Sequence, residues 1–88
     1  MLQTIERTTL TQLVTNEQYA RKVLPFMKKD YFTDRTERTI FEEITKFVDK
    51  YNKIPTQTSL EIEVQGRKDL NESDYKKVVA VIQTLSST

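Results

Sequence analysis

The chain has 88 residues, a length that suits one domain. Apolar residues make up 36% and charged residues 31%, with 14 basic against 13 acidic side chains and a net charge of +1; this is a globular balance and it lacks the basic excess of a domain that holds nucleic acid by charge. Histidine and cysteine are both absent, which excludes Ser-His-Asp and Cys-His triads, zinc sites of the usual N/S type, and disulfides.

Apolar residues recur at intervals of three and four, and Asn-Gly and Asp-Gly turns are missing, so the chain is read as all-α. The first helix is expected over about residues 2–15, with Leu2, Ile5, Thr9 and Leu13 as its stripe and Leu10 and Val14 widening it. Its threonines at 4, 8, 9 and 11 lower intrinsic helix propensity, so it depends on packing. Asn16 is the expected cap of a short helix running to Leu24, with Tyr19 and Val23 facing inward. Pro25 ends or restarts that helix, and Phe26 and Met27 are read as continuing its apolar patch.

The central helix is expected over about residues 35–52, capped by Asp34 with Glu37 three residues on. On a 100° wheel Phe47, Ile40, Tyr51, Ile44, Val48 and Phe41 share an arc of about 120°. Glu42 and Lys46, four apart, are read as a surface ion pair opposite that arc. Ile54-Pro55 follows as a stop. Thr56 or Thr58 can cap a helix ending near Gln65, with Leu60 and Val64 inward and Ile62 turned the other way; Gly66 suits a left-handed position after it. Residues 67–70 are read as a loop. Asn71 caps the last helix, whose buried stripe is Tyr75, Val78, Val79, Ile82 and Leu85, with Val81 at its margin and Ser86-Ser87-Thr88 as a fraying end. The architecture expected is a compact single-domain bundle of five to six helices around the central one. Its core is assigned to Phe32, Ile40, Phe41, Ile44, Phe47, Val48, Tyr51, Val79 and Ile82.

Candidate chemistry is sparse, and no catalytic, cofactor-binding or metal-ligating residue is assigned. The one glycine, Gly66, is too few for a Walker A loop or a dinucleotide fingerprint. Glu42 and Glu43 are sequence neighbours and do not face one another on a helix, so they are read as a solvated face rather than a metal clamp. The basic pairs Arg21-Lys22, Lys28-Lys29, Arg67-Lys68 and Lys76-Lys77 are scattered among acids and are read as ordinary surface. Tyr31-Phe32 can either stack a base or close the core, and the second reading is preferred. Ile62 and Val81, apolar but outside their main stripes, are the tentative partner surface. No run of about 20 apolar residues occurs, so no membrane span is expected, and the absent signal core points to the cytoplasm.

The order of these features carries a resemblance. Leu13-Val14, Tyr19 with Val23-Leu24-Pro25, Asp30-Tyr31-Phe32, Ile40-Phe41-Glu42-Glu43-Ile44, Ile54-Pro55-Thr56 with Leu60, and a final helix together resemble the N-terminal domain of the DnaB-like replicative DNA helicases. The tailed-phage version looks nearest. Departures point the same way: Glu37 stands where many bacterial members have His or Asn, and Leu70-Asn71-Glu72-Ser73 replaces a frequent Gly-Gly turn. The resemblance implies a non-catalytic head of a hexameric, ring-shaped helicase, one that supports the collar and docks primase or a helicase loader during DNA replication, in the cytoplasm of a bacterial host. It also implies that the helical hairpin and the ATP- and Mg-dependent motor of the parent enzyme lie outside these 88 residues. Neighbouring helicase subunits are then partners, and strong direct nucleic-acid binding is not expected. Two other readings stay open: the helicase-binding C-terminal domain of a bacterial-type primase, which has a similar helical head, and a small helical nucleic-acid-binding protein.

Overall fold

Side-chain caps and one positive-φ residue set where the helices begin and end in the computed structural model, which describes residues 5–85. Leu2 and Ser86 to Thr88 lie outside the described residues. Five α-helices follow in order: α1 Ile5–Thr15, α2 Glu17–Val23, α3 Arg35–Tyr51, α4 Gln57–Gln65 and α5 Glu72–Thr84. Two single 3-10 turns, Leu24–Phe26 and Lys29–Tyr31, bridge α2 and α3.

Four helices start on side-chain caps. Asn16 accepts from the Tyr19 amide at 3.0 Å, Asp34 from Glu37 at 3.0 Å, Thr56 from Ser59 at 3.0 Å, and Asn71 from Asp74 at 2.8 Å. Each satisfies an amide that the helix leaves without a partner. The helix stop before Pro55 is made by Asn52, which takes the left-handed conformation (φ 55°) that Asn tolerates better than most residues. Gly66 does not adopt that conformation: its φ is −80° and it closes α4 with an ordinary right-handed turn. The expected role of this glycine is therefore corrected.

Threonine in the helices is handled locally. The hydroxyls of Thr9, Thr11 and Thr15 donate to carbonyls four residues back, at 2.8, 3.2 and 2.7 Å, as do Thr39 and Thr45. Burial of Thr9 and Thr39 thus leaves no hydroxyl unmet.

α3 forms the spine, with α1, α4 and α5 packed along it. The buried cluster joins Leu10 and Leu13 of α1, Ala20 of α2, Phe32, then Ile40, Phe41 and Ile44 of α3, Leu60 and Val64 of α4, and Val78, Ile82 and Leu85 at the end of the chain. Phe32 is the aromatic plug: its ring lies 5.1 Å from that of Phe41, and Tyr31 meets it edge-on from the outside. Arg38 locks this entry to α3 by donating to the Phe32 and Thr33 carbonyls at 3.2 and 3.4 Å.

Several core assignments need correction. Tyr51 is 45% exposed, and Phe47, its ring tilted against that of Tyr51 at a centroid distance of 4.5 Å, lies outside the buried cluster. Val48 packs against the cluster but is only partly buried. A helical wheel fixes direction around the axis and says nothing of how far along it the neighbours reach. At 1.5 Å per residue, α3 is about 25 Å long and α5 about 20 Å. The last turns of α3 therefore lie beyond the cover that buries its beginning. In α5 the buried pair is Val78 and Ile82; Val79 is displaced by one residue and is partly exposed. In α2 the one fully buried residue is Ala20, with Tyr19 and Val23 flanking it.

Candidate functional site

Two acids on α3 are buried, and each is met by an arginine from another part of the chain. Glu37, after the cap of α3, accepts from Arg7 Nε of α1 at 3.0 Å. Glu43, 3% exposed, accepts from Arg67 Nη1 at 2.9 Å. Arg67 also grips Asp69 with both arms of its guanidinium, Nε to Oδ1 at 2.9 Å and Nη2 to Oδ2 at 2.7 Å, and reaches Glu42 at 3.4 Å. A planar fork suits three carboxylates better than an ammonium would.

The electrostatics follow from this geometry. The Arg67 hydrogen bond holds the Asp69 carboxyl at about 2, below its ordinary value of 3.8. Hydrogen bonding to Asp69, and then to Glu43, raises the Arg67 pKa further despite burial. The node fastens the connector between α4 and α5 to the side of α3. Glu42 and Glu43 are thus not a plain solvated face. The expected Glu42–Lys46 pair does not form; Lys46 lies 3.7 Å from Glu43 instead.

Beside the node a groove of about 760 Å³ runs between α3 and α4. Ile62, 59% exposed, stands in it with Lys46 and Lys50 of α3, Glu63 of α4 and Lys68 of the connector. Val81, the other residue read as partner surface, is partly buried against the core and does not line this groove.

A second groove, of about 350 Å³, lies where α2 and its 3-10 turn meet α3. Ala20, Leu24, Pro25 and Val48 form its apolar lining, with Thr45 beside them and Arg21 and Asp49 at charged positions. Phe26, next in sequence to Pro25, is 85% exposed. The expectation that it joins an apolar patch with Met27 is corrected: Met27 packs on the core and Phe26 points away from it.

Sequence reasoning missed Arg67, Arg7 and Phe26. Arginine partners 24 and 30 residues distant leave no local signal. Glu43 did carry a hint, since it lies about 40° from Phe47 on the wheel, at the border of the apolar arc. For Phe26 the hint was Pro25, which fixes a tight turn in which consecutive side chains diverge.

Among the described residues no cluster of three or more His, Cys, Asp or Glu side chains suits a metal ion, and no helix is long and apolar enough to cross a membrane. Comparison with known proteins supplies what the grooves do not. The family model described as "DnaB-like helicase N terminal domain" matches residues 2–88. The chain is also similar to the DnaB-like replicative helicase of Enterobacteria phage T4, at 25% identity over 79 residues, which cover 90% of this chain. It spans 16% of the length of that relative.

Proposed function

Because the chain belongs to the DnaB-like helicase N-terminal-domain family, we propose that it is a non-catalytic head domain of a phage-type hexameric replicative helicase. Its work is to help assemble the collar of the ring and to dock primase or a helicase loader in the cytoplasm of a bacterial host. The observation that carries the reading is a family match extending over the whole described fold. In this reading ATP and Mg serve a motor domain elsewhere in the parent helicase, and the present chain supplies surface rather than chemistry.

The groove around Ile62 supports the docking half of the proposal. It offers an exposed aliphatic side chain on a rigid helix, ringed by long lysines. That arrangement gives a partner a small desolvated contact with a polar rim. The reading as a primase domain draws no separate support from the geometry.

Titration of the 88-residue chain with the primase encoded beside its parent helicase tests the proposal. Saturable heat with wild-type chain, weakened about tenfold or more by Ile62→Asp, is the expected result. Absence of binding removes primase docking, and equal affinity of the variant removes Ile62 from it. Sedimentation should show the chain alone as a monomer or a weak dimer, and a tight hexamer at micromolar concentration contradicts that expectation.

A further inference from the structure

We infer that the groove between α3 and α4 takes a short amphipathic helix of the docking partner, one that lays an aliphatic residue against Ile62 and points carboxylates at Lys46, Lys50 and Lys68. The inference rests on the docking reading above and adds the chemistry of the segment that docks.

The apolar contact is preformed. Ile62 is 59% exposed on α4, a helix anchored by the buried Leu60 and Val64, so a fixed backbone presents it and little order has to be gained on binding. The groove follows α3 from Glu43 to Lys50, a rise of about 10 Å. That length accommodates about two turns of a partner helix, with its apolar face turned into the cleft.

Charge selects the occupant. Glu43 and Asp69, two of the acids on the lining, are held by the Arg67 guanidinium at 2.9 and 2.7 Å. Lys46 lies 3.7 Å from Glu43, whose charge Arg67 already meets. Lys50 meets the face of the Tyr51 ring at 5.2 Å, and among the described residues neither Lys50 nor Lys68 has a carboxylate partner. Spacing adds to this. Lys46 and Lys50 are four apart on α3 and share a face. Carboxylates at i and i+4 of a partner helix have the same separation, about 5–6 Å, so a helix lying along α3 can meet both lysines at once.

Glu63 sets a limit. It lines the groove and has no cation partner among the described residues. A uniformly acidic segment is therefore excluded: carboxylates face α3 and the connector, and an uncharged or basic group faces Glu63. A nucleic-acid strand fits less well, because its phosphates recur evenly and cannot avoid Glu63 and Asp69. The contact is small and its charges stay at a solvated rim, so binding is weak and falls with salt.

Selection of displayed random peptides about four helical turns long on the immobilised 88-residue chain tests the inference, followed by fluorescence anisotropy of the enriched peptides at low and high salt. Enriched peptides should carry an aliphatic residue and two acids four residues apart. Their dissociation constants should rise about tenfold or more in Lys50→Glu and in Lys68→Glu, both exposed positions, with circular dichroism to check folding. The chain carrying both changes should select basic peptides instead. Enrichment of nothing, enrichment of peptides without acids, or equal affinity of the doubly changed chain for the acidic peptides overturns the inference. So does an oligothymidine strand that binds more tightly than they do. Primase separates this inference from the reading beneath it. If primase binds wild-type and doubly changed chains alike, docking stands and the acidic helix falls. If primase does not bind but the acidic peptides behave as described, primase docking falls and the groove's preference belongs to another partner.

Discussion

The first turns of α3 and its last turns present apolar side chains at the same azimuth and meet different fates. Ile40, Phe41 and Ile44 lie in the core with Phe32 against them, whereas Phe47 and Tyr51 touch one another, rings tilted, outside it. Charge divides along the same line. Glu37 and Glu43 are buried and held by Arg7 and Arg67, while Asp49, in the last turn, is exposed at the edge of a groove. One helix thus holds the fold together at its beginning and supplies surface at its end. The difference teaches that an apolar arc selects a face and that neighbouring helices decide how much of the face is dry.

The strongest way to break this comparison is to truncate one aromatic from each end. Phe41→Ala should destabilise the domain by about 3–5 kcal/mol, the range for deleting a buried ring. At roughly 0.05–0.15 kcal/mol per residue the whole domain has only about 4–13 kcal/mol to lose, so this variant should give up a large share of its stability and unfold at a much lower urea concentration. Tyr51→Ala should cost less than about 1 kcal/mol, because its ring is half in water and Phe47 can relax over the gap. Urea denaturation followed by circular dichroism measures both. Equal costs would mean that coverage along the helix is not what separates them.

Next in size is the Arg67 node. Arg67→Ala leaves Glu43 buried without its partner, and a loss of about 3 kcal/mol is expected, the lower end of the range for breaking a buried pair because Asp69 faces solvent. The same change made in a Glu43→Gln background should cost clearly less, since no buried charge is then stranded. Lys46→Ala removes only a 3.7 Å exposed contact to Glu43 and should cost at most about 0.5 kcal/mol. If Lys46→Ala proves as damaging as Arg67→Ala, the guanidinium fork is not the group that satisfies Glu43.

What was legible in the sequence, and what was not, follows the same physical line. The all-helical fold and the caps Asn16, Asp34 and Asn71 were legible because propensity and capping act over three or four residues. The inward placement of Leu60, Val64, Val78 and Ile82 was legible because periodicity reports a local direction. Tyr51 and Val79 were misread because burial at the edge of an arc depends on what other helices cover. Arg67 does lie in the loop expected over residues 67–70, but its burial against α3 was not legible, because its partners Glu42 and Glu43 lie 25 and 24 residues away. Gly66 was given a backbone that the chain instead gives to Asn52. Of the candidate surface, the exposure of Ile62 was legible from its position opposite Leu60 and Val64; the lysines that gather round it come from two segments, α3 and the α4–α5 connector, and were not.

Acid should sharpen the contrast by a smaller amount. The Asp69 carboxyl titrates at about 2 in the folded chain against 3.8 for the free group. A depressed carboxylate stabilises the fold fully above its unfolded value and loses that contribution as pH falls through the folded one. The Asp69–Arg67 bond should therefore be at full strength above pH 4 and fade between about pH 4 and pH 2. Asp69→Asn should flatten that part of the stability curve while leaving the neutral-pH fold intact, as followed by urea midpoints at several pH values. An unchanged acid slope would assign the loss to other carboxylates.

The smallest effect on folding belongs to Ile62→Asp, and its smallness is the point. The side chain is on the outer face of α4, opposite the buried Leu60 and Val64, and stands among charged side chains of both signs rather than apolar groups. A carboxylate there meets water and a mixed charged rim, with Lys46, Lys50 and Lys68 beside Glu63 and Asp69, so the change in stability should stay within about 0.5 kcal/mol. A loss approaching that of Phe41→Ala would mean the position is covered in solution, and the groove between α3 and α4 would then belong to the interior rather than to a partner. A neutral result, set beside the cost at Phe41, leaves Ile62 as an apolar side chain that the fold does not use.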